Sequence, residues 1–134
     1  MKSFHLLVLA SDKVFYDGKC VMAILPAQDG QIGIMANHGD IVAAVEVGQI
    51  RIQKEDESWT HAVIGRGVMQ FINNRMTVLT EFAELPEEID EKRALAAKER
   101  AQEQLRQKQS LQEYHQSKAA LARAIARLKE KGGI

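Results

Sequence analysis

The sequence predicts an α+β protein, with an N-terminal antiparallel β-sandwich (a flattened barrel) over residues 1–84 and a C-terminal two-helix hairpin over 85–134. Three observations carry that prediction. From Phe4 to Thr80 the apolar residues come in short runs broken by Gly, Asp and Asn, the texture of short strands joined by tight turns. From Glu87 to Lys131 there is no Gly or Pro, and Ala, Glu, Gln, Lys, Arg and Leu dominate, all good helix formers. The charge balance also changes sign at this boundary: residues 1–84 carry 7 Lys/Arg against 10 Asp/Glu, and residues 85–134 carry 11 against 8.

Phe4, Leu6 and Val8 alternate with His5, Leu7 and Leu9, which gives a strand with one fully apolar face and one partly apolar face. Val21 to Leu25 is a second run, expected to stop at Pro26 because proline cannot donate to a ladder. Ile32 to Met35 lies between Gly30-Gln31 and Asn37-His38-Gly39. Val42 to Val47, Gln49 to Lys54, Trp59 to Ile64, Val68 to Ile72 and Met76 to Thr80 complete the series. Asn73-Asn74 is a two-residue hairpin turn, because asparagine tolerates positive φ. No helical crossover separates the strands, so antiparallel pairing is expected.

In the second half, Ala94, Ala97, Ala101 and Leu105 recur every three or four residues, as do Leu111, Tyr114, Lys118, Leu121, Ile125 and Leu128. An alanine stripe allows close helix approach but buries little area, so that packing is weak. Ser110-Leu111-Gln112-Glu113 has the capping-box pattern of a new helix. With no glycine to force a turn there, both a hairpin and one long helix remain open. Gly132-Gly133 ends the second helix.

Composition excludes several functions. Formal net charge is zero, which argues against a general nucleic-acid binder. Aromatics make up 5% of the chain, so the core must be aliphatic. Cys20 is the only cysteine, which rules out an intrachain disulfide or cysteine cluster; it reads as sheet filling rather than a nucleophile. His5, His38, His61 and His115 lack metal-ligand spacing, no serine has a credible histidine partner, and no Walker A loop is present. No catalytic residue and no metal site are predicted. The N-terminus resembles neither a signal peptide nor a membrane span, so a cytoplasmic protein is expected, reaching a membrane only through partners.

Val14-Phe15-Tyr16-Asp17-Gly18, Ile24-Leu25-Pro26, Gly30-Gln31-Ile32-Gly33-Ile34, His38 and Val47-Gly48-Gln49-Ile50-Arg51-Ile52 resemble, in that order, the sandwich of bacterial F-type ATP synthase epsilon subunits. Ile89-Asp90-Glu91-Lys92-Arg93-Ala94 is similar to the Ile/Leu-Asp-x-x-Arg-Ala nucleotide-binding motif of many of them. Where that family commonly has Leu/Tyr-Pro-Gly-His-Ala-Pro, this chain has Met35-Ala36-Asn37-His38-Gly39-Asp40, without either proline.

The resemblance implies a non-catalytic central-stalk subunit at the cytoplasmic face of the cell membrane. Its sandwich would pack on the gamma subunit, and a loop with Gln31 and His38 would face the ring of c subunits. It also implies ATP as a regulatory ligand, with no cofactor required. Glu84, Ile89, Asp90, Arg93, Ala94, Arg100, Arg123 and Arg127 match the residues that hold ATP in ATP-binding relatives. Guanidinium forks suit phosphate oxygens, and a carboxylate can accept from an adenine amino group or a ribose hydroxyl. An extended tail would carry Lys118, Arg123 and Arg127 to the alpha and beta catalytic subunits and block hydrolysis. The bland reading of these charges is a solvated helix face, with Glu99 or Glu103 pairing the arginines. The rival reading of the whole chain is a free-standing β-sandwich adaptor with a helical dimerisation tail.

Overall fold

The computed structural model describes residues 2–106 and 111–132. The chain divides into two compact units, Met1–Leu85 and Pro86–Ile134. The first is a sandwich of two five-stranded sheets. Its strands are β1 (Phe4–Leu9), β2 (Val14–Cys20), β3 (Met22–Ala27), β4 (Gly30–Met35), β5 (Ile41–Val45), β6 (Gly48–Gln53), β7 (Trp59–Ile64), β8 (Gly67–Ile72), β9 (Arg75–Thr80) and β10 (Ala83–Glu84). One sheet has the order β2-β1-β9-β8-β5, the other β10-β7-β6-β3-β4.

The strands face each other through their alternate residues, as period-two patterning requires. Phe4, Leu6 and Val8 of β1 are buried with Met69, Phe71, Met76 and Val78 of the same sheet, and with Ala23, Leu25, Ile34, Ile50, Ile52, Ala62 and Ile64 of the other. The core is aliphatic apart from Phe4 and Phe71, whose rings meet edge to face at 5.4 Å. Asn73 and Asn74 form the expected turn between β8 and β9, both with positive φ, as a type I′ hairpin demands.

Three features differ from the sequence expectation. Val14–Cys20 is a strand despite Asp17, Gly18 and Lys19, because β2 is an edge whose outer side needs no partner. Strand β3 runs through Pro26, paired with Gln31. The β6 ladder ends at Ile24, so a proline beyond that point breaks no bond on that side, and its carbonyl accepts from Glu46 N–H at 3.0 Å. One pairing, β1 with β9, is parallel; the chain passes through the other sheet between them, so no single helical crossover is needed.

The second unit begins with a 3-10 turn over Pro86–Glu88 and holds α1 (Glu91–Arg106) and α2 (Leu111–Glu130). Asp90 caps α1: its carboxylate accepts the Arg93 N–H at 3.1 Å. Gly132, at φ 84°, closes α2, its N–H donating to the Lys129 carbonyl at 3.0 Å. The helices lie antiparallel. Ser117 bonds Gln104 near one end, and Lys131 Nζ donates to the Pro86 carbonyl at the other. Ser110, on which the capping box was based, lies outside the described residues.

Candidate functional site

The sandwich has an outer face that its core does not use. On β1, β9, β8 and β5 the outward residues include Leu9, Leu79, Val68 and Ala44, which stand side by side across four strands. Leu79, Val68 and, two residues along β5, Val42 are all exposed. Adjacent apolar side chains in open solvent mark an interaction surface more often than a free one. Sequence reading noticed only the β1 part of this face, because Leu9 is paired with Leu79 of β9, far away along the chain.

Gln31 and His38 do not share a loop. Gln31 is an exposed residue of β4, and its Oε1 accepts from Arg51 at 3.4 Å. His38 lies beyond the other end of that strand. Its Nδ1 is 2.7 Å from the Gly39 carbonyl oxygen, and its ring stands edge-on to Phe71 at 6.0 Å. The loop bearing it is fastened at both sides. Asn37, in the left-handed region at φ 64°, donates its N–H to Asn74 Oδ1 at 2.7 Å, and Asp40 Oδ1 accepts the Asn73 N–H at 3.3 Å. Asn74 Nδ2 in turn donates to the Ser3 carbonyl at 3.0 Å.

In the helical unit the seam is made of small residues from both helices: Ala94 and Ala101 of α1, Ser117 and Ala124 of α2, with Leu128 closing it. The α1 stripe is the one read from the sequence. Of the α2 stripe read from the sequence, Leu128 is buried at the seam, whereas Ser117 and Ala124, each one position before Lys118 and Ile125, take the other buried places in preference to Tyr114 and Ile125. Those larger residues instead line an open groove with Leu105, Lys118, Leu121 and Ala122.

This offset arranges the arginines. Arg93, Arg100, Arg123 and Arg127 each come immediately before a buried seam residue: Ala94, Ala101, Ala124 and Leu128. In an antiparallel pair, positions just before the seam fall on the same flank of both helices. The two end contacts set Arg93 level with the Arg123–Arg127 turn, and Arg100 roughly 10 Å further along at 1.5 Å per residue. Arg93 and Arg100 are exposed, Arg123 and Arg127 half-buried. Glu103 pairs with Arg106 at 3.5 Å.

The other expected nucleotide residues divide. Asp90 is occupied as the α1 cap, Ile89 and Ala94 are buried, and Glu84 belongs to the sandwich unit, on β10. Lys118 follows a seam residue instead of preceding one, so it occupies the opposite flank, its ammonium 5.6 Å from the Tyr114 ring. Lys118, Arg123 and Arg127 therefore do not form one basic face while the helices are paired.

Among the described residues, neither unit presents a reactive constellation. Burial pushes the Cys20 thiol up to about 12, which leaves it un-ionised at neutral pH. Among the described residues no group of His, Cys, Asp or Glu is placed to hold a metal ion. No helix among them is long and apolar enough to cross a membrane.

The described residues form a two-sheet sandwich followed by a helical hairpin with arginines along one flank. Comparison with known proteins gives that architecture a family. Residues 3–86 match the family model "ATP synthase, Delta/Epsilon chain, beta-sandwich domain", and residues 87–131 match "ATP synthase, Delta/Epsilon chain, long alpha-helix domain". The chain belongs to the ATP synthase delta/epsilon family, as an epsilon-type, non-catalytic subunit. It is 46% identical to the ATP synthase epsilon chain of Caldicellulosiruptor bescii, covering 96% of this chain and 93% of that one. It is 44% identical to the epsilon chain of Ruminiclostridium cellulolyticum, covering 96% and 95%. A chain in the Euglena gracilis mitochondrial ATP synthase structure shares the fold at a TM-score of 0.80 and 20% identity, covering 92% of this chain and 78% of that one.

Proposed function

We propose that this subunit is a central-stalk component in which the sandwich docks and the hairpin regulates. The apolar row Leu9-Leu79-Val68-Ala44 carries the reading: it supplies a surface that binds the gamma subunit by hydrophobic burial. The edge strand β4 and the loop after it, bearing Gln31 and His38, meet the c ring with polar groups. The subunit then sits peripherally on the cytoplasmic face of the membrane, held there by its partners.

The hairpin works in two postures. Folded, its alanine seam and the arginine flank form a cradle for the phosphates of ATP, with Arg93, Arg123 and Arg127 at one level and Arg100 beyond. Extended, it brings Lys118, Arg123 and Arg127 toward the alpha and beta subunits and opposes hydrolysis. Arg123 and Arg127 serve both postures, so ATP bound to the folded hairpin withholds these two from the catalytic head. The charge of the flank and the weakness of the seam support this reading.

Gel filtration of the purified chain, alone and with gamma, tests the docking half. A monomer that forms a stoichiometric complex with gamma is the expected result. A dimer that ignores gamma would return the chain to the adaptor reading.

A further inference from the structure

The loop after β4 contains no proline, yet side-chain hydrogen bonds hold it at both ends. Asn74 is at the centre of that arrangement. As the second residue of the β8–β9 turn, at φ 60°, it would serve the turn equally well as glycine. Its side chain does something the turn does not require. The carbonyl oxygen takes the Asn37 N–H at 2.7 Å, and the amide nitrogen gives a hydrogen to the Ser3 carbonyl at 3.0 Å. One amide thus ties the His38 loop to the β8–β9 hairpin and to the residue that leads into β1. Next to it, Asp40 secures the far side of the loop on Asn73 N–H, while His38 itself rests against Phe71 of the core.

Asn37 sits in the left-handed region, which asparagine tolerates but which does not by itself fix the rest of an exposed loop. A short exposed loop without such a tie samples several conformations, and ordering it on docking would weaken binding. We propose that Asn74 is a positioning residue for partner binding: its side-chain amide presets the loop 36–40, so that His38 is presented in one orientation before the partner arrives. This rests on the reading above that the His38 loop is a contact with another subunit.

The test compares Asn74→Gly, Asn74→Asp and His38→Ala in the full chain. Asn74→Gly keeps the turn, since Asn-Gly is a favoured type I′ pair, and removes both bonds. Asn74→Asp keeps the acceptor for Asn37 N–H and loses only the donor to Ser3. Two readouts are taken: amide exchange at Asn37, and binding to ATP synthase complex depleted of this subunit.

For Asn74→Gly the expected result is exchange at Asn37 faster by roughly tenfold or more, melting within a few degrees of the parent, and affinity lower by about tenfold. Asn74→Asp retains most of the protection and most of the affinity, a rescue that a purely global effect on stability would not give. Unchanged exchange in Asn74→Gly would overturn the inference, because the amide would then not be holding the loop. Faster exchange with unchanged affinity, in the presence of a binding loss for His38→Ala, would overturn it as well, because the contact would then not need presetting. If His38→Ala binds like the parent, the loop is not a contact at all: the underlying reading fails, and the positioning role goes with it.

Discussion

The outer row of the sandwich allows a test in which stability and binding move separately. Val68 and Leu79 are neighbours on β8 and β9, 48% and 52% exposed, and point away from the core. Replacing both with threonine puts a β-branched residue at each position, so strand preference is retained. The free protein should barely respond, since surface changes away from buried features fall within about 0.5 kcal/mol of zero per site. Binding should respond strongly. The pair loses roughly 100 Å² of apolar surface that docking would bury, a ceiling of about 2.5 kcal/mol at 25 cal/mol per Å². Area converts only partly into affinity, so a loss of roughly 1–2 kcal/mol, about 5- to 30-fold in Kd, is expected. Calorimetric titration with gamma measures the affinity and urea unfolding measures stability. Affinity within twofold of the parent, with unfolding unchanged, would refute the argument that this row is the docking face.

Further expectations concern the body, the thiol and the ligand. Gly67→Ala should destabilise the sandwich by about 3 kcal/mol or more in urea unfolding, because a Cβ there would lie 1.8 Å from the Leu79 carbonyl oxygen. Cys20, raised to about 12 by burial, should react with thiol reagents at pH 8 only through unfolding. Between the ordinary thiol value near 9 and about 12 the unfolded chain has lost that proton and the folded chain keeps it, so stability must fall as pH rises. Comparison with Cys20→Ala isolates a slope of up to about 1.4 kcal/mol per pH unit in that window. If the arginine flank binds ATP, ligand at a hundredfold its Kd should stabilise the hairpin by about 2.7 kcal/mol, visible as a shift in its thermal unfolding. Arg123→Ala should largely abolish that shift. Unaltered melting of the parent at millimolar ATP would dispose of the nucleotide proposal and leave the stalk role standing.

What was legible in the sequence follows from how local each signal is. Trp59–Ile64 is rich in aromatic and β-branched residues and matches β7 at both ends. Asn73-Asn74 declares its turn through backbone geometry alone. By contrast, Val14–Cys20 has no apolar run to mark it as a strand, and residues 14–18 were assigned to the sandwich by resemblance alone; its polar residues are accommodated at the sheet edge. The parallel pairing of β1 with β9 has no local signature, since it depends on a path through the second sheet. The apolar half of the docking face was visible on β1, in Leu7 and Leu9. Its continuation through Leu79 and Val68 required the register. Gln31 and His38 were put in one loop by the resemblance, but the strand between them extends the chain at about 3.3 Å per residue and carries them apart.

The α2 seam bears on regulation. Periodicity picked out Leu111, Tyr114, Lys118, Leu121, Ile125 and Leu128; of these Leu128 is buried at the seam, and the other buried positions of α2 are Ser117 and Ala124, one before Lys118 and Ile125. A seam built on Tyr114 and Ile125 would bury more apolar area and hold the helices more firmly, at about 25 cal/mol per Å². The alanine seam brings the backbones close but leaves the larger side chains in an open groove and the arginines together on one flank. If the folded hairpin binds a polyanion on that flank, as proposed, so small a seam leaves it within reach of a ligand worth about 2 to 3 kcal/mol, and the expected response is a shift in the unfolding of the tail with none in that of the sandwich.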